Sequence, residues 1–120
     1  MAFTEKMATR TYVSGSAVAQ FTFVSLAADG QVDNTSANAR TDGVALMAAV
    51  GANEAITVAY DGRVTVQAGG TITRGAAVSS NNAGRVIAAT TGHVILGYAE
   101  EAAATGQVIT VTLARAETAA

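Results

Sequence analysis

An internal repeat constrains the fold of this chain more than any other feature. "GVALMAAVGANEAITVAY" at residues 43–60 has a close counterpart, "GYAEEAAATGQVITVTL", at residues 97–113. When the chain is displaced by 54 residues, turn glycines fall on glycines and apolar residues fall on apolar residues. The matches are Val24-Ser25 with Val78-Ser79, Gly30 with Gly84, Val32 with Val86, Gly43 with Gly97, Ala45 with Ala99, and Ala48-Ala49 with Ala102-Ala103. After a slip of one residue, Ile56-Thr57-Val58 falls on Ile109-Thr110-Val111. Such residues fix a backbone path, so they predict a duplicated unit; the alternative is chance matching in a chain rich in Ala, Val, Gly and Thr.

Short apolar runs between turn signals predict an all-β chain. In "VITVTL", Ile109, Val111 and Leu113 alternate with threonines, which is the period of a strand with one buried face. Glycine-containing turn signals recur from "ADG" at 28–30 to "TG" at 105–106. Asp61-Gly62 separates "ITVAY" from "RVTVQ" and predicts a two-residue hairpin turn.

These patterns predict a single β domain over residues 16–115, with an extended N-terminal arm at 1–15 and a tail at 116–120. The fold class is all-β: a small β-sandwich or β-barrel built from two tandem repeats of about 54 residues, with halves 17–66 and 71–115. Pairing the halves would bury a face that neither could bury alone.

The charge content excludes several functional classes. Charged residues make up 13% of the chain and its net charge is −2, with basic residues scattered singly. A nucleic-acid groove needs clustered cations, so we expect no nucleic-acid partner. No apolar run approaches the ~20 residues that span a bilayer, so we expect no membrane partner. Either a partner or further copies of the chain cover part of this weakly charged surface, or its many Thr, Ser, Asn and Gln side chains keep it soluble alone.

No residue pattern points to catalysis, a metal or a cofactor. The chain has no cysteine, and His93 is its single histidine, so a zinc site of the usual kind is not expected. Three aspartates precede glycines as turn formers, and Glu100 and Glu101 are adjacent, which would send them to opposite sides of an extended segment. We therefore expect a protein that is not an enzyme; alanine replacement of His93, Glu100 and Glu101 would test the opposite hypothesis.

The second half of the chain resembles a known family. "GGTITRGAAVSSNNAGRVIAATTGHVILGYAEEAAATGQVITVTL", residues 69–113, is similar to the capsid cement or decoration proteins of tailed bacteriophages, and "GVALMAAVGANEAITV", residues 43–58, carries a similar phrase. Those proteins commonly run from a "GGxI-x-x-G-x-x-V" entry to a "GxAxxAAxxGxxIxV" ending. The resemblance implies a small, oligomeric, often trimeric β protein. It would lie on the outer surface of the capsid in the virion, be made in the host cytoplasm, and stabilise junctions between major capsid protein subunits.

An arm outside the repeat has no core position to explain its apolar and basic residues, so it is the predicted capsid contact. The residues are Phe3, Met7, Arg10 and Tyr12. A disordered tail is the alternative for this segment. The alternative function is a ligand- or carbohydrate-binding β module of a phage fibre or cell surface, although such sites usually present exposed aromatics and this chain has only six aromatic residues.

Overall fold

The computed structural model describes residues 7–28, 30–35, 40–90 and 93–118. Within these ranges the chain forms nine β-strands and no helix. The strands are β1 (Met7–Ser14), β2 (Phe23–Ala28), β3 (Gln31–Asn34), β4 (Gly43–Ala45), β5 (Ala55–Gln67), β6 (Ala77–Ser80), β7 (Val86–Ala88), β8 (Val94–Ala99) and β9 (Val108–Thr118). The all-β class predicted from the sequence is confirmed.

The first five strands close into a ring in the order β1, β3, β2, β4, β5. β1 runs parallel to β3 and antiparallel to the first part of β5, and these two pairings close the ring. One cluster of apolar side chains fills it. Its members are Tyr12, Val18, Val24, Val32, Ala45, Ala49, Ile56 and Val58. Because a ring of five strands is small, its own side chains fill it, and its interior is a packed core.

A second ring follows along the same sheet in the order β5, β9, β8, β6, β7. It closes where Ala68 forms a parallel bridge with Val86 and the Gly69 amide donates to the Val86 carbonyl at 2.7 Å. Its interior residues stand 54 or, late in the unit, 53 positions after those of the first ring. They are Val66, Ile72, Val78, Val86, Ala99, Ala103, Ile109 and Val111.

The strand registers show that the two rings are copies of one unit. Val24 pairs with Gly43 in the first ring, and Val78 pairs with Gly97 in the second, each shifted by 54 residues. The same shift relates three further sets of partners. These are Val18–Ala49 with Ile72–Ala103, Leu26–Val32 with Ser80–Val86, and Ala45–Val58 with Ala99–Val111, the last after the one-residue slip. The duplication predicted from the sequence is therefore present in the hydrogen-bonding pattern.

The predicted hairpin at Asp61-Gly62 is wrong. β5 runs through this dipeptide without a turn, and its first part pairs with β1 and β4 whereas its second part pairs with β9. The ladder with β1 passes from Asp61 to Ala59 and skips Tyr60, which marks a β-bulge. Gly62 has φ 97° there. An Asp-Gly pair provides the same positive φ for a bulge as for a turn, so local sequence does not separate the two.

The described part of the predicted N-terminal arm belongs to the sheet. Residues 7–14 form β1, and Arg10, Thr11 and Tyr12 pair with consecutive residues of β5. The structural units therefore run over 7–60 and 61–113, so they begin one strand earlier than the predicted halves 17–66 and 71–115. Part of the predicted tail, residues 116–118, lies in β9, and residues 1–6 and 119–120 fall outside the described ranges.

Gly43 and Gly97 show why the repeated glycines matter. A Cβ on Gly43 would meet the carbonyl oxygen of Ala59 and a methyl group of Val58. A Cβ on Gly97 would meet the equivalent atoms of Thr112 and Val111. Both rings thus need glycine where β4 or β8 crosses its neighbouring strand at close range.

Candidate interaction surface

The rings pack against each other through the outer face of the first ring. Phe23, Val44 and Ala59 alternate with residues of that ring's interior, so their side chains point away from it. All three are nevertheless 0% exposed and belong to the same apolar cluster as the interior of the second ring. The second ring therefore covers this face.

The β6–β7 turn and the end of β5 provide the backbone contacts of this packing. The Phe23 amide donates to the Gly84 carbonyl at 2.6 Å, and a Cβ on Gly84 would lie 2.5 Å from the Phe23 carbonyl oxygen. The Gln67 amide donates to the Phe21 carbonyl at 2.7 Å. With apolar burial and main-chain hydrogen bonds on the same interface, the two rings pack into one block.

Residues 46–52, in the connection from β4 to β5, present exposed apolar side chains and are the candidate interaction surface. Val50 is 89% exposed and Met47 is 45% exposed. The second ring has Glu101 and Ala104 at the positions equivalent to Met47 and Val50. We call residues 46–52 the apolar loop. Large apolar side chains that stand clear of a packed core mark contact sites when they cluster.

Hydrogen bonds hold the apolar loop in place from both ends. Ala49 forms a two-way bridge with Val18, with N···O distances of 2.9 and 2.8 Å. The Ser14 hydroxyl donates to the Gly51 carbonyl at 2.6 Å, and the Gly51 amide donates to the Glu54 carboxylate at 2.8 Å. Because its backbone is already ordered, the loop loses little conformational entropy on binding a partner.

The predicted contact residues of the arm have separate environments. Tyr12 is half-buried and packs against the core of the first ring. It therefore has a core position, which the sequence did not predict. Arg10 is exposed, and its guanidinium carbon lies 4.6 Å from the centroid of the Tyr60 ring. Hydrogen bonds to Tyr12 and then to Tyr60 raise the pKa of Arg10 above its ordinary value. Met7 takes part in β1 opposite Gly62, and Phe3 lies outside the described residues.

The polar side chains that could serve as catalytic groups have structural partners. His93 is half-buried, and its ring nitrogens lie 3.2 and 3.4 Å from the Thr90 hydroxyl. Glu100 accepts two hydrogen bonds from Arg63, at 2.6 and 2.9 Å, and one from the Thr112 hydroxyl. The Thr112 bond, followed by the Arg63 bond, lowers the pKa of Glu100. Glu101 accepts instead from the Thr110 amide at 3.1 Å, so the two carboxylates serve different strand contacts.

The described ranges hold no group of three or more His, Cys, Asp or Glu side chains placed to bind a metal ion. Over the same ranges, no helix has the length and apolar character needed to cross a membrane.

The fold defines the class of this molecule: an all-β protein made of two tandem rings that share one strand. No protein-family model matches the sequence, and no curated protein matches it. Among solved structures, the chain is similar to the N base of the head fiber protein gp8.5 of bacteriophage phi29. The TM-score is 0.77 at 21% sequence identity, and the match covers 93% of this chain and 98% of that chain. The likeness is one of fold.

The apolar loop is not among the sites predicted from the sequence, although it lies within the repeated stretch at residues 43–60. The available signal was the comparison of the repeats with each other, because Met47 and Val50 stand where the second copy has Glu101 and Ala104. The positions at which the two copies differ, and not the positions at which they match, therefore indicate this loop.

Proposed function

We propose that this protein is a structural component of a bacteriophage virion. It binds the outer surface of the capsid and stabilises it across junctions between major capsid protein subunits. The observation that carries the proposal is the fold likeness to the phi29 head fiber base over nearly the whole of both chains. The resemblance of residues 69–113 to capsid cement or decoration proteins points to the same place in the particle.

The surface chemistry suits this role. Specific protein contacts bury roughly 1,000 Å² or more, and few charges need to lose water when a weakly charged face is covered. Charged residues make up only 13% of this chain. The apolar loop supplies ordered apolar side chains for such a contact, and Arg10 and Tyr12 stand on the neighbouring strand β1.

The major capsid protein is the proposed partner, and a homo-oligomer, with a trimer favoured, is the proposed state on the shell. An oligomer gains avidity because one seated subunit raises the local concentration of the next. A trimer would match the local threefold symmetry of an icosahedral shell. The role requires neither catalysis nor a cofactor.

Co-sedimentation with capsids purified without this protein tests the proposal. Val50→Asp places a charge on the apolar loop, and we expect it to weaken capsid binding at least about tenfold, since one buried unpaired charge costs more than 1.4 kcal/mol. Ala104→Asp is the matched control, because it places the same charge at the equivalent exposed position of the second ring. If neither the wild type nor the Ala104→Asp control binds capsids, the proposed function is contradicted. If all three proteins bind equally, the apolar loop is not part of the capsid contact.

Single substitutions test the predicted arm contact better than deletion of the arm would. Removing residues 1–15 would delete β1 and open the first ring, so lost binding would report unfolding. The substitutions Phe3→Ala and Arg10→Ala leave the β1 ladder in place. Weaker capsid binding by either variant at unchanged melting temperature supports the predicted arm contact, and unchanged binding by both excludes it.

A further inference from the structure

The duplication gives the second ring its own copy of the face that the first ring buries. In the first ring this face is Phe23, Val44 and Ala59, covered by the β6–β7 turn of the second ring. The registers place Ala77, Tyr98 and Thr112 at the equivalent positions of the second ring. We call these three residues the terminal face. Tyr98 is 40% exposed, Thr112 is also exposed and Ala77 is half-buried, so among the described residues nothing buries the terminal face as fully as the first face is buried.

The described part of the element equivalent to the covering turn is also exposed. The β2–β3 turn corresponds to the β6–β7 turn, and Gly30 has φ 71° where Gly84 has φ 76°. Gly84 is buried against Phe23, whereas a Cβ on Gly30 would meet nothing within 4 Å. Leu26 is 50% exposed at the position equivalent to Ser80, which is 0% exposed. One copy of the chain thus presents both halves of an interface that it already uses internally.

The terminal face differs from its buried counterpart in a consistent direction. Tyr98 replaces Val44 and Thr112 replaces Ala59, so both positions gain a hydroxyl. At its border, Glu100 stands where the first ring has Leu46, and its carboxylate is bound by Arg63 and Thr112. Docking a second hairpin turn here would remove water from this charged cluster, which is costly for an ion pair whose two side chains are each 29% exposed in the free chain.

We infer that the terminal face is a latent self-association surface that can bind the β2–β3 turn of a second copy. The Arg63–Glu100–Thr112 cluster prevents this contact in the natural chain. An interface that joins unlike faces of identical molecules propagates head to tail unless a ring closes it. The polar cluster therefore prevents copies of the chain from stacking end to end. This inference stands apart from the proposed function, since it concerns contacts between copies and not contacts with a capsid.

Sedimentation velocity over a range of protein concentrations tests the inference. A five-site variant gives the second ring the residues of the first: Arg63→Thr, Ala77→Phe, Tyr98→Val, Glu100→Leu and Thr112→Ala. We expect its weight-average mass to rise with concentration to at least about twice that of the wild type. Adding Leu26→Glu to this variant should restore the wild-type mass, because the charge lies on the docking turn. If the five-site variant does not fold, the pair Glu100→Leu and Thr112→Ala is judged by the same criteria.

A control variant, Ala104→Leu with Thr105→Val, adds apolar surface outside the terminal face and should sediment as the wild type does. Three results would overturn the inference. A folded variant with the wild-type mass shows that the surface is not latent. Association that survives Leu26→Glu shows that the partner is another segment. A lower mass for Leu26→Glu in the otherwise wild-type chain shows that the face is open and in use.

Discussion

Phe23 of the first ring and Ala77 of the second ring occupy the same place in strands of the same register, yet their surroundings differ. Phe23 is fully buried under the second ring, whereas Ala77 is half-buried on a face that no described residue covers to the same extent. Their cross-strand partners, Val44 and Tyr98, differ likewise, with 0% and 40% of their surface exposed. The two rings therefore share a backbone while their outer faces have diverged according to what covers them.

This contrast separates residues that define the ring from residues that define its neighbours. Glycines at close crossings are the same in both copies, and so are six of the eight interior residues, because changing them would displace a strand. Outward-facing positions are free to differ. The first ring is apolar where it meets the second ring and around the apolar loop, whereas the second ring carries hydroxyl and charged groups at its terminal face.

The largest expected effect is at the buried face. Phe23→Ala should lower the free energy of unfolding by about 3–5 kcal/mol, because it leaves a cavity between the rings. Tyr98→Ala, at the exposed aromatic position of the equivalent pair, should cost about 1 kcal/mol or less. Urea denaturation measures both. Equal losses would contradict the assignment of the first face as buried and the terminal face as open.

The next effect distinguishes two glycines with nearly the same φ. Gly84→Ala should cost roughly 2–5 kcal/mol, because its Cβ would press on the Phe23 carbonyl in addition to the strain of a positive φ. Gly30→Ala carries the strain alone and should cost roughly 1–2 kcal/mol. Thermal and urea unfolding of the two variants check the difference. A Gly30 variant as unstable as the Gly84 variant would show that the β2–β3 turn is covered as well.

The smallest effect concerns an equivalent pair of serines. The Ser25 hydroxyl bonds the Thr35 hydroxyl and donates to the Arg40 carbonyl, both at 2.7 Å. The Ser79 hydroxyl is fully buried and has no hydrogen-bond partner among the described residues. Ser25→Ala should therefore cost about 1 kcal/mol, and Ser79→Ala should be neutral or stabilising by up to about 1 kcal/mol. A destabilised Ser79→Ala variant would reveal a partner for that hydroxyl.

The repeat was visible in the sequence because its matches are glycines and valines at positions that fix the backbone. Its first strand was not visible, because β1 carries Arg10, Tyr12 and Val13 where the second unit has Val64, Val66 and Gln67, and little identity survives there. A strand that joins two rings at a bulge has the same Asp-Gly signature as a hairpin, so the course of β5 depended on which strands were available as partners.

The terminal face is not predictable from the sequence, and the sequence signal for the apolar loop is limited to the difference between the copies at Met47 and Val50. Both are defined by exposure, and exposure depends on how the rings pack against each other. Val44 and Tyr98 look equally suited to a buried strand in the sequence, and only the tertiary arrangement shows which of them is covered.

A cryo-electron microscopy reconstruction of capsids saturated with this protein tests the central claim most directly. The account predicts density for the double-ring block on the outer surface, at junctions between major capsid protein subunits, with the apolar loop against the shell. Saturated capsids without such density, or a block seated through the second ring with the apolar loop in solvent, would contradict it.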